Sequence, residues 1–249
     1  MVDMSFWKEY YSNQFNLERI SNYAKYREIA IIRKVDGREI CTRPHKIFNS
    51  SHLKYWIDRF NLTETIFDLY RSNISLKLPP LPSNLNKLKE IRPEINRRYT
   101  DFNYITAADF LIDIDVNNES EEPIALSWAR IFKKELEQRD FIKHPVEIWS
   151  TGSGGIHVIS FGKFLCESVK NEVMDICCKH SIPMSNPVKI IDGERHIPEN
   201  GVWRKIKKDE EKPDVPKPNV DSGIYDYRRI CRVPYSLHGK SGRPMERVS

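Results

Sequence analysis

The chain has 249 residues, enough for one large domain or two small ones. Hydrophobic residues make up 39% of it, which is sufficient for a substantial core, and 40 Lys and Arg against 35 Asp and Glu give a net charge of +5. Such a mild positive charge allows a polyanionic partner but does not require one. No stretch of about 18 apolar residues occurs, so no membrane span or membrane partner is expected.

The five cysteines lie at positions 41, 166, 177, 178 and 231. Their odd number and the lack of CxxC pairs argue against a disulfide framework and a four-cysteine zinc site. Cys177, Cys178 and His180 lack zinc-finger spacing, so no structural zinc is predicted. The N-terminus also lacks the apolar core of a secretion signal. We therefore expect an intracellular protein, in the cytoplasm or nucleoid, that is not secreted.

Hydrophobic periodicity predicts the elements of the first half of the chain. Residues 29–43 are typical of two strands joined by an Asp-Gly turn. Residues 50–60 place their apolar residues on one helical face, with a serine available as N-cap. The proline-rich stretch 76–87 and the basic stretch 90–100 then indicate a connector between two subdomains.

The second half also alternates between strands and helices. A helix is predicted to run from the acidic stretch after Val116 to about Gln138, with Ile124 and Leu136 among its inward residues. Residues 206–219 are charged and proline-rich and are expected to be a mobile loop. The other predicted elements are strands at 108–116, 146–150, 156–161 and 188–191 and a helix at 167–180. This mixed order predicts an α+β or mixed α/β domain around one mixed sheet.

The predicted strand FLIDID carries two aspartates. Residues two apart in a strand project from the same face, so Asp113 and Asp115 lie side by side, roughly 6–7 Å apart. Their mutual repulsion in a cleft would be removed by divalent cations shared with a third carboxylate. The alternative is a strand end whose aspartates face water.

The glycine-rich stretch TGSGGIH follows a predicted strand. Several backbone N–H groups between Thr151 and Gly155 can point at one anion, because glycine tolerates the required backbone angles. His157 could then hydrogen-bond a phosphate oxygen. The alternative is an ordinary hairpin loop followed by a core histidine.

The segment RVPYSLHGKSG gathers Arg232, Ser236, His238 and Lys240 close to the C-terminal end of the chain. Lysine, histidine and serine donors suit a phosphate group, although a basic surface loop is the plain alternative. Metal-binding carboxylates together with two phosphate-binding loops are what nucleotidyl transfer requires.

In this order the three motifs resemble those of the archaeo-eukaryotic primase superfamily, and within it the small catalytic subunit of DNA primase. FLIDID is similar to its hydrophobic-D-hydrophobic-D motif, TGSGGIH to its S-G-x-x-G-x-H motif, and RVPYSLHGKSG to its R-x-P-x-S-L-H-G-K-[ST]-G motif. The resemblance spans about residues 20–243. It implies that Asp113 and Asp115 are catalytic metal ligands, and that a second set binds the nucleotide: Thr151, Ser153, Gly154, His157, Arg232, Ser236, His238 and Lys240.

The resemblance implies a third metal aspartate upstream of the closing motif. Asp221 fits that place with a one-residue gap, and we prefer it to Asp192 and Asp226. Weaker similarities assign Glu28, next to Arg27 in YREIAI, and Arg43 to primer, template or nucleotide contacts. Basic residues of the connector are further template candidates: Arg92, Arg97 and Arg98.

The function implied by the resemblance is that of a DNA-dependent primase-polymerase. It would make or extend short primers on single-stranded DNA from NTPs or dNTPs, using two Mg²⁺ or Mn²⁺ ions and releasing pyrophosphate. One catalytic domain, residues 1–249, would combine an N-terminal α/β part at about 1–107 with an RRM-like part at about 108–243, and a large primase subunit is a further candidate partner. The alternatives are a gap-filling polymerase of end-joining repair with the same fold and a catalytically silent nucleic-acid-binding subunit.

Overall fold

The fold is described from a computed structural model. It describes residues 2–25, 27–35, 38–46, 49–77, 90, 93–94, 97–98, 101–206, 215, 217–221 and 230–249. Contacts divide the chain into two compact units, Met1–Asp109 with Tyr227–Glu246 and Phe110–Asp226 with Arg247–Ser249. The predicted division at about 107/108 lies two residues from the observed one. The closing motif, which was predicted to lie in the second part, groups by its contacts with the first unit.

The first unit combines helices with an antiparallel sheet. Its helices are α1 (Met4–Ser12), α2 (Gln14–Ala24) and α3 (Ser50–Arg59). Its main strands are β1 (Glu28–Val35), β2 (Arg38–Lys46), β3 (Phe67–Ser72) and β13 (Ile230–Arg232), in the spatial order β13-β3-β1-β2. Strands β4 (Ile74–Leu76) and β5 (Ile105–Ala108) form a separate pair. The closing motif joins the first unit because β13 pairs antiparallel with β3.

Asparagine and aspartate side chains start these helices. Asp3 accepts a hydrogen bond from the amide of Ser5 at 2.9 Å, and Asn13 accepts one from the amide of Phe15 at 2.9 Å. Helix α3 begins after Asn49, whose side chain caps it. The predicted serine N-cap was therefore wrong, because the residue before the two serines supplies the capping oxygen.

An aromatic cluster lies in the core of the first unit. The rings of Trp7 and Tyr11 on α1 lie 5.4 and 4.7 Å from the ring of Phe67 on β3. The indole N–H of Trp7 donates to the carbonyl of Leu62 at 3.2 Å, so its buried polar atom is satisfied. This packing fixes β3, the strand that pairs with the closing motif.

The second unit is built on a five-stranded sheet in the spatial order β12-β6-β8-β7-β14. Its strands are β6 (Phe110–Asp115), β7 (Val146–Ser150), β8 (Ile156–Ser160), β12 (Asn219–Val220) and β14 (Glu246–Arg247), and its helices are α4 (Glu122–Leu136) and α5 (Cys166–His180). A second sheet contains β9 (Lys189–Ile191), β10 (Glu194–Glu199) and β11 (Val202–Lys205). The α+β class is confirmed, with the described strands divided among four sheets in place of one.

One face of the five-stranded sheet belongs to the main core of the second unit. Phe110, Ile112 and Ile114 on β6 are buried in one cluster with Phe132 and Leu136 of α4. The prediction that Ile124 faces inward was wrong: it is 47% exposed, because the buried stripe of α4 runs through Ala125 instead. The alternation along β6 leaves its aspartates on the other face.

Two further findings concern the whole set of described residues. None of the five cysteines forms a disulfide. No described helix is both long and apolar enough to span a membrane.

A buried carboxylate connects the two helices of the second unit. Glu135 on α4 accepts from Lys179 Nζ at 2.7 Å and His180 Nε2 at 2.8 Å, both at the end of α5. These two hydrogen bonds, to Lys179 first and His180 second, lower the pKa of Glu135 from 4.5 to about 2. A carboxyl group whose pKa is lowered by folding stabilises the folded state above its unfolded pKa, and that contribution is lost as the pH falls through the folded pKa.

We therefore expect Glu135→Gln to lower the melting temperature at pH 7 by about 2–4 °C. The difference from the unchanged protein should shrink as the pH falls from about 4.5 towards 2, because the unfolded chain then binds a proton at Glu135 before the folded chain does. Glu137→Gln is the control, since Glu137 pairs with Lys133 on its own helix and its side chain is 47% exposed. If the two variants lower the melting temperature equally at all pH values, the contacts of Glu135 with α5 do not stabilise the fold as proposed.

Candidate active-site residues

Three of the predicted site residues lie in one row across the five-stranded sheet. Asp113 on β6 is directly opposite His157 on β8. On the other side of β6, β12 pairs Val220 with Ile114, and the next amide, that of Asp221, donates to the carbonyl of Asp113 at 2.8 Å. Directly opposed residues have Cβ atoms about 4.5–5.5 Å apart on the same face. Asp221, Asp113 and His157 are therefore cross-strand neighbours.

Asp115 lies on the same face, two residues along β6. The side chains of Asp113 and Asp115 are 26% and 40% exposed, whereas Ile112 and Ile114 are fully buried. The apolar face thus fixes the strand, and the acidic face stays accessible.

Each of the three carboxylates has a different protein partner. Lys217 Nζ lies 2.7 Å from Asp115, and His157 Nε2 lies 3.4 Å from Asp113. The hydroxyl of Ser185 donates to Asp221 at 3.3 Å. Among the residues that the structure describes, no three His, Cys, Asp or Glu side chains form a group that could hold a metal ion. The backbone brings the aspartates together, while their carboxylates have separate contacts.

His157 is 5% exposed. Its Nδ1 atom is buried and has no hydrogen-bond partner within the described part of the chain. An unsatisfied buried nitrogen costs about 1–3 kcal/mol.

The glycine turn closes the hairpin between β7 and β8. The amide of Thr151 donates to the carbonyl of Gly155 at 2.9 Å, and the hydroxyls of Thr151 and Ser153 lie 3.2 Å apart. Gly154 has a φ of +93°, and a Cβ added there would lie 3.1 Å from Val116 Cγ2 and 3.2 Å from the Cα of Glu119. The turn thus lies against the segment that follows Asp115. Thr151 is buried, whereas Ser153 is half-buried.

Two predicted nucleotide-binding residues in the closing motif bond within the first unit. Ser236 is fully buried, and its hydroxyl donates to the carbonyl of Val233 at 2.7 Å. Arg232 is 5% exposed and donates to Asp68 at 2.5 Å and to the hydroxyl of Tyr70 at 3.2 Å. These contacts hold the loop that carries His238 and Lys240.

His238 and Lys240 line a cavity of about 680 Å³ in the first unit. Arg33, Lys34 and Arg232 are other cations in its wall. Nδ1 of His238 accepts from the amides of Lys240 and Ser241 at 3.2 and 3.3 Å, so the neutral ring carries its proton on Nε2. Burial first, and then Arg232, lowers the pKa of His238 to about 4. At neutral pH the imidazole is therefore an uncharged donor.

The residues predicted from weaker similarities to contact primer, template or nucleotide lie in different surroundings. Glu28 is half-buried at the start of β1, and its amide donates to Ser72 Oγ at 3.1 Å. Arg97 and Arg98 both bind Glu94, at 2.9 and 2.8 Å, and these hydrogen bonds lower the pKa of Glu94 to about 2. The side chain of Arg97 is still 58% exposed.

Several predictions lie outside the described residues. These are the side chain of Arg43, the residues Arg92 and Asp226, most of the connector at 76–100, and most of the predicted mobile loop at 206–219. Asp192, the other rejected candidate, is exposed at the turn between β9 and β10, with a φ of +50°.

Two charged residues that matter to these sites, Lys217 and Asp68, were not predicted. Lys217 contacts Asp115, and Asp68 contacts the closing motif. Arg27 is buried and donates to Asp109 at 2.7 Å, a structural role for the residue next to Glu28. A signal for Asp68 was present in FDLYRS, where polar residues alternate with the buried Phe67 and Leu69.

No protein-family model and no curated protein matches this chain. Solved structures do match its fold. One is the polymerase domain of ligase D from Mycobacterium tuberculosis in complex with DNA, with 13% sequence identity and a TM-score of 0.57 over 100% of this chain and 81% of that one. At this identity the likeness shows the fold alone, and that fold is the α+β fold of this polymerase domain.

We expect Gly154→Ala to destabilise the protein by about 1–3 kcal/mol, because its positive φ is unfavourable for alanine and its Cβ would meet Val116 and Glu119. Urea unfolding followed by fluorescence measures this loss. Gly193→Ala is the matched control: its φ is +77°, but no heavy atom lies within 4 Å of the added Cβ. Equal losses for both variants would show that close packing at Gly154 contributes nothing.

Proposed function

We propose that this protein is a DNA-dependent nucleotidyltransferase that joins nucleotides on a single-stranded template and releases pyrophosphate. The observation that carries the proposal is the row of Asp221, Asp113 and His157 across three paired strands, with Asp115 two residues further along. The fold it shares with a DNA-bound polymerase domain supports the same class of activity.

The donor set fits Mg²⁺ or Mn²⁺. Both are hard cations that prefer carboxylate oxygens, and three aspartates occupy neighbouring positions on one sheet face. Metal binding would require the three carboxylates to rotate towards one another, since each now contacts a different protein group. Asp113, Asp115 and Asp221 would hold the two ions.

When bound, these ions would make the attacking 3′-hydroxyl more acidic and stabilise charge on the triphosphate. The protein's own groups have other tasks in this proposal. His157, whose Nε2 lies beside Asp113, would contact a phosphate at the carboxylate row, and Gly154 keeps the backbone of the turn close to the segment after Asp115. His238 and Lys240 supply an uncharged N–H donor and a point charge for phosphate oxygens.

Primer synthesis is the finer proposal, and it rests on the motifs shared with the small catalytic subunit of DNA primase. The second candidate is gap-filling extension, which the match to a polymerase domain of a ligase favours. In both cases the partners would be single-stranded template and NTPs or dNTPs. A large primase subunit would be a partner only in the first case.

We expect Asp113→Asn and Asp221→Asn each to lower nucleotide incorporation on a primed DNA template at least about 100-fold, since each removes a charge from the cation site. Asp192→Asn is the control, because Asp192 lies on a turn of the other sheet of this unit. If Asp221→Asn keeps its activity and Asp192→Asn loses it, the third metal-binding aspartate is Asp192 and not Asp221. Full activity in Asp113→Asn would refute the proposal.

The same assay without primer separates the candidate functions. Labelled oligonucleotides formed on single-stranded template alone indicate a primase, whereas extension only of a supplied primer indicates a gap-filling polymerase. A silent binding subunit would incorporate nothing in either assay, and its DNA affinity would be unchanged in the Asp113→Asn variant.

A further inference from the structure

Asp68 on β3 binds the closing motif at two points. One carboxylate oxygen, Oδ1, accepts from Arg232 Nη1 at 2.5 Å and from the backbone amide of Gly239 at 2.7 Å. Arg232 also donates to the carbonyl of Leu237 at 3.3 Å. A single carboxylate thus connects the start of the motif, at Arg232, with the turn between His238 and Lys240.

Gly239 fits closely against this carboxylate. A Cβ added at Gly239 would lie 2.7 Å from Oδ2 and 3.0 Å from Cγ of Asp68. Any larger residue would therefore push the carboxylate away from the amide that it accepts from. The glycine is required here by a close approach, because its φ is not in the left-handed region.

The position of this turn determines which nitrogen of His238 can donate. The amides of Lys240 and Ser241 both point at Nδ1, which leaves the proton on Nε2. His238, Gly239 and Lys240 all line the cavity, and so does Asp68. Displacement of Gly239 would move the two amides that immediately follow it and release the ring.

We propose that Asp68 is a positioning residue for nucleoside triphosphate binding: by holding the Gly239 amide and Arg232 it keeps the turn in the shape in which His238 Nε2–H and the Lys240 ammonium meet phosphate oxygens. This proposal rests on the proposed function, which assigns the phosphate contacts to His238 and Lys240. In this proposal Asp68 acts through the turn and Arg232.

The negative charge of Asp68 suits it to positioning the turn. Arg232 is almost completely buried and needs a negative partner. Asparagine at position 68 keeps an oxygen for the Gly239 amide but not the charge that neutralises Arg232, and alanine removes both. The two variants therefore separate the hydrogen bond to the turn from the ion pair.

The test measures binding of α,β-methylene ATP and dATP with Mn²⁺ by calorimetry, using the full chain. We expect Asp68→Ala to weaken binding at least about tenfold and Asp68→Asn to weaken it less. Asp58→Asn, which changes an exposed carboxylate on α3 that pairs with Lys54, should change it less than about twofold. Histidine ring ¹⁵N spectra should show Nδ1 of His238 unprotonated in the unchanged protein and a mixture of tautomers in Asp68→Ala.

A double-mutant cycle tests the connection to Gly239. Gly239→Ala should weaken binding as Asp68→Ala does, and the double variant should be no weaker than Asp68→Ala alone, because both changes remove one interaction. In primer extension, Asp68→Asn should raise the KM for the nucleotide while kcat changes little. Asp68→Asn provides the test if Asp68→Ala does not fold.

The outcomes separate this proposal from the proposed function. If His238→Ala weakens nucleotide binding but both Asp68 variants bind normally with unchanged ¹⁵N spectra, the positioning role is refuted and the phosphate site stands. If the unchanged protein and His238→Ala bind the analogues equally or not at all, the phosphate site is refuted, and the positioning role with it.

Discussion

The pairing of two short strands is the constraint on which the candidate site depends. Asn219 and Val220 of β12 bond to the end of β6, and the register continues so that the amide of Asp221 donates to the carbonyl of Asp113. On its other edge, Val220 exchanges backbone hydrogen bonds with Pro183 and Ser185. Because β12 is bonded on both sides, a third aspartate far along the chain stays beside the two on β6.

Both candidate sites combine charged groups with a rigid backbone. In the second unit, the buried face of β6 fixes the aspartates, and Gly154 allows the turn to pack against the residues after Asp115. In the first unit, Asp68 and the close approach of Gly239 give the closing turn its shape. In each unit a glycine is needed where the backbone approaches a neighbouring group, so the glycines of the motifs have structural explanations.

The sequence predicted local elements well where a period or a turn signal was strong. The alternation in FLIDID identified the buried and acidic faces of β6 correctly. The same pattern could not reveal that Arg232 and Ser236 bond inside the first unit, since that depends on β13 pairing with β3, a contact between distant segments. The hairpin of β10 and β11 was missed although its turn, Asn200-Gly201, is a typical type I′ signal with both φ angles positive. Helix α4 was predicted correctly, but its inward face was assigned one residue out of phase at Ile124.

The central claim is that Asp113, Asp115 and Asp221 together hold the cations of a nucleotidyl-transfer site. Anomalous diffraction from crystals soaked with Mn²⁺ and a nonhydrolysable nucleoside triphosphate tests it directly. The account predicts Mn²⁺ at about 2–2.5 Å from carboxylate oxygens of all three residues, with Lys217 displaced from Asp115. Bound nucleotide with no Mn²⁺ at these residues, or Mn²⁺ held without Asp221, would contradict the account.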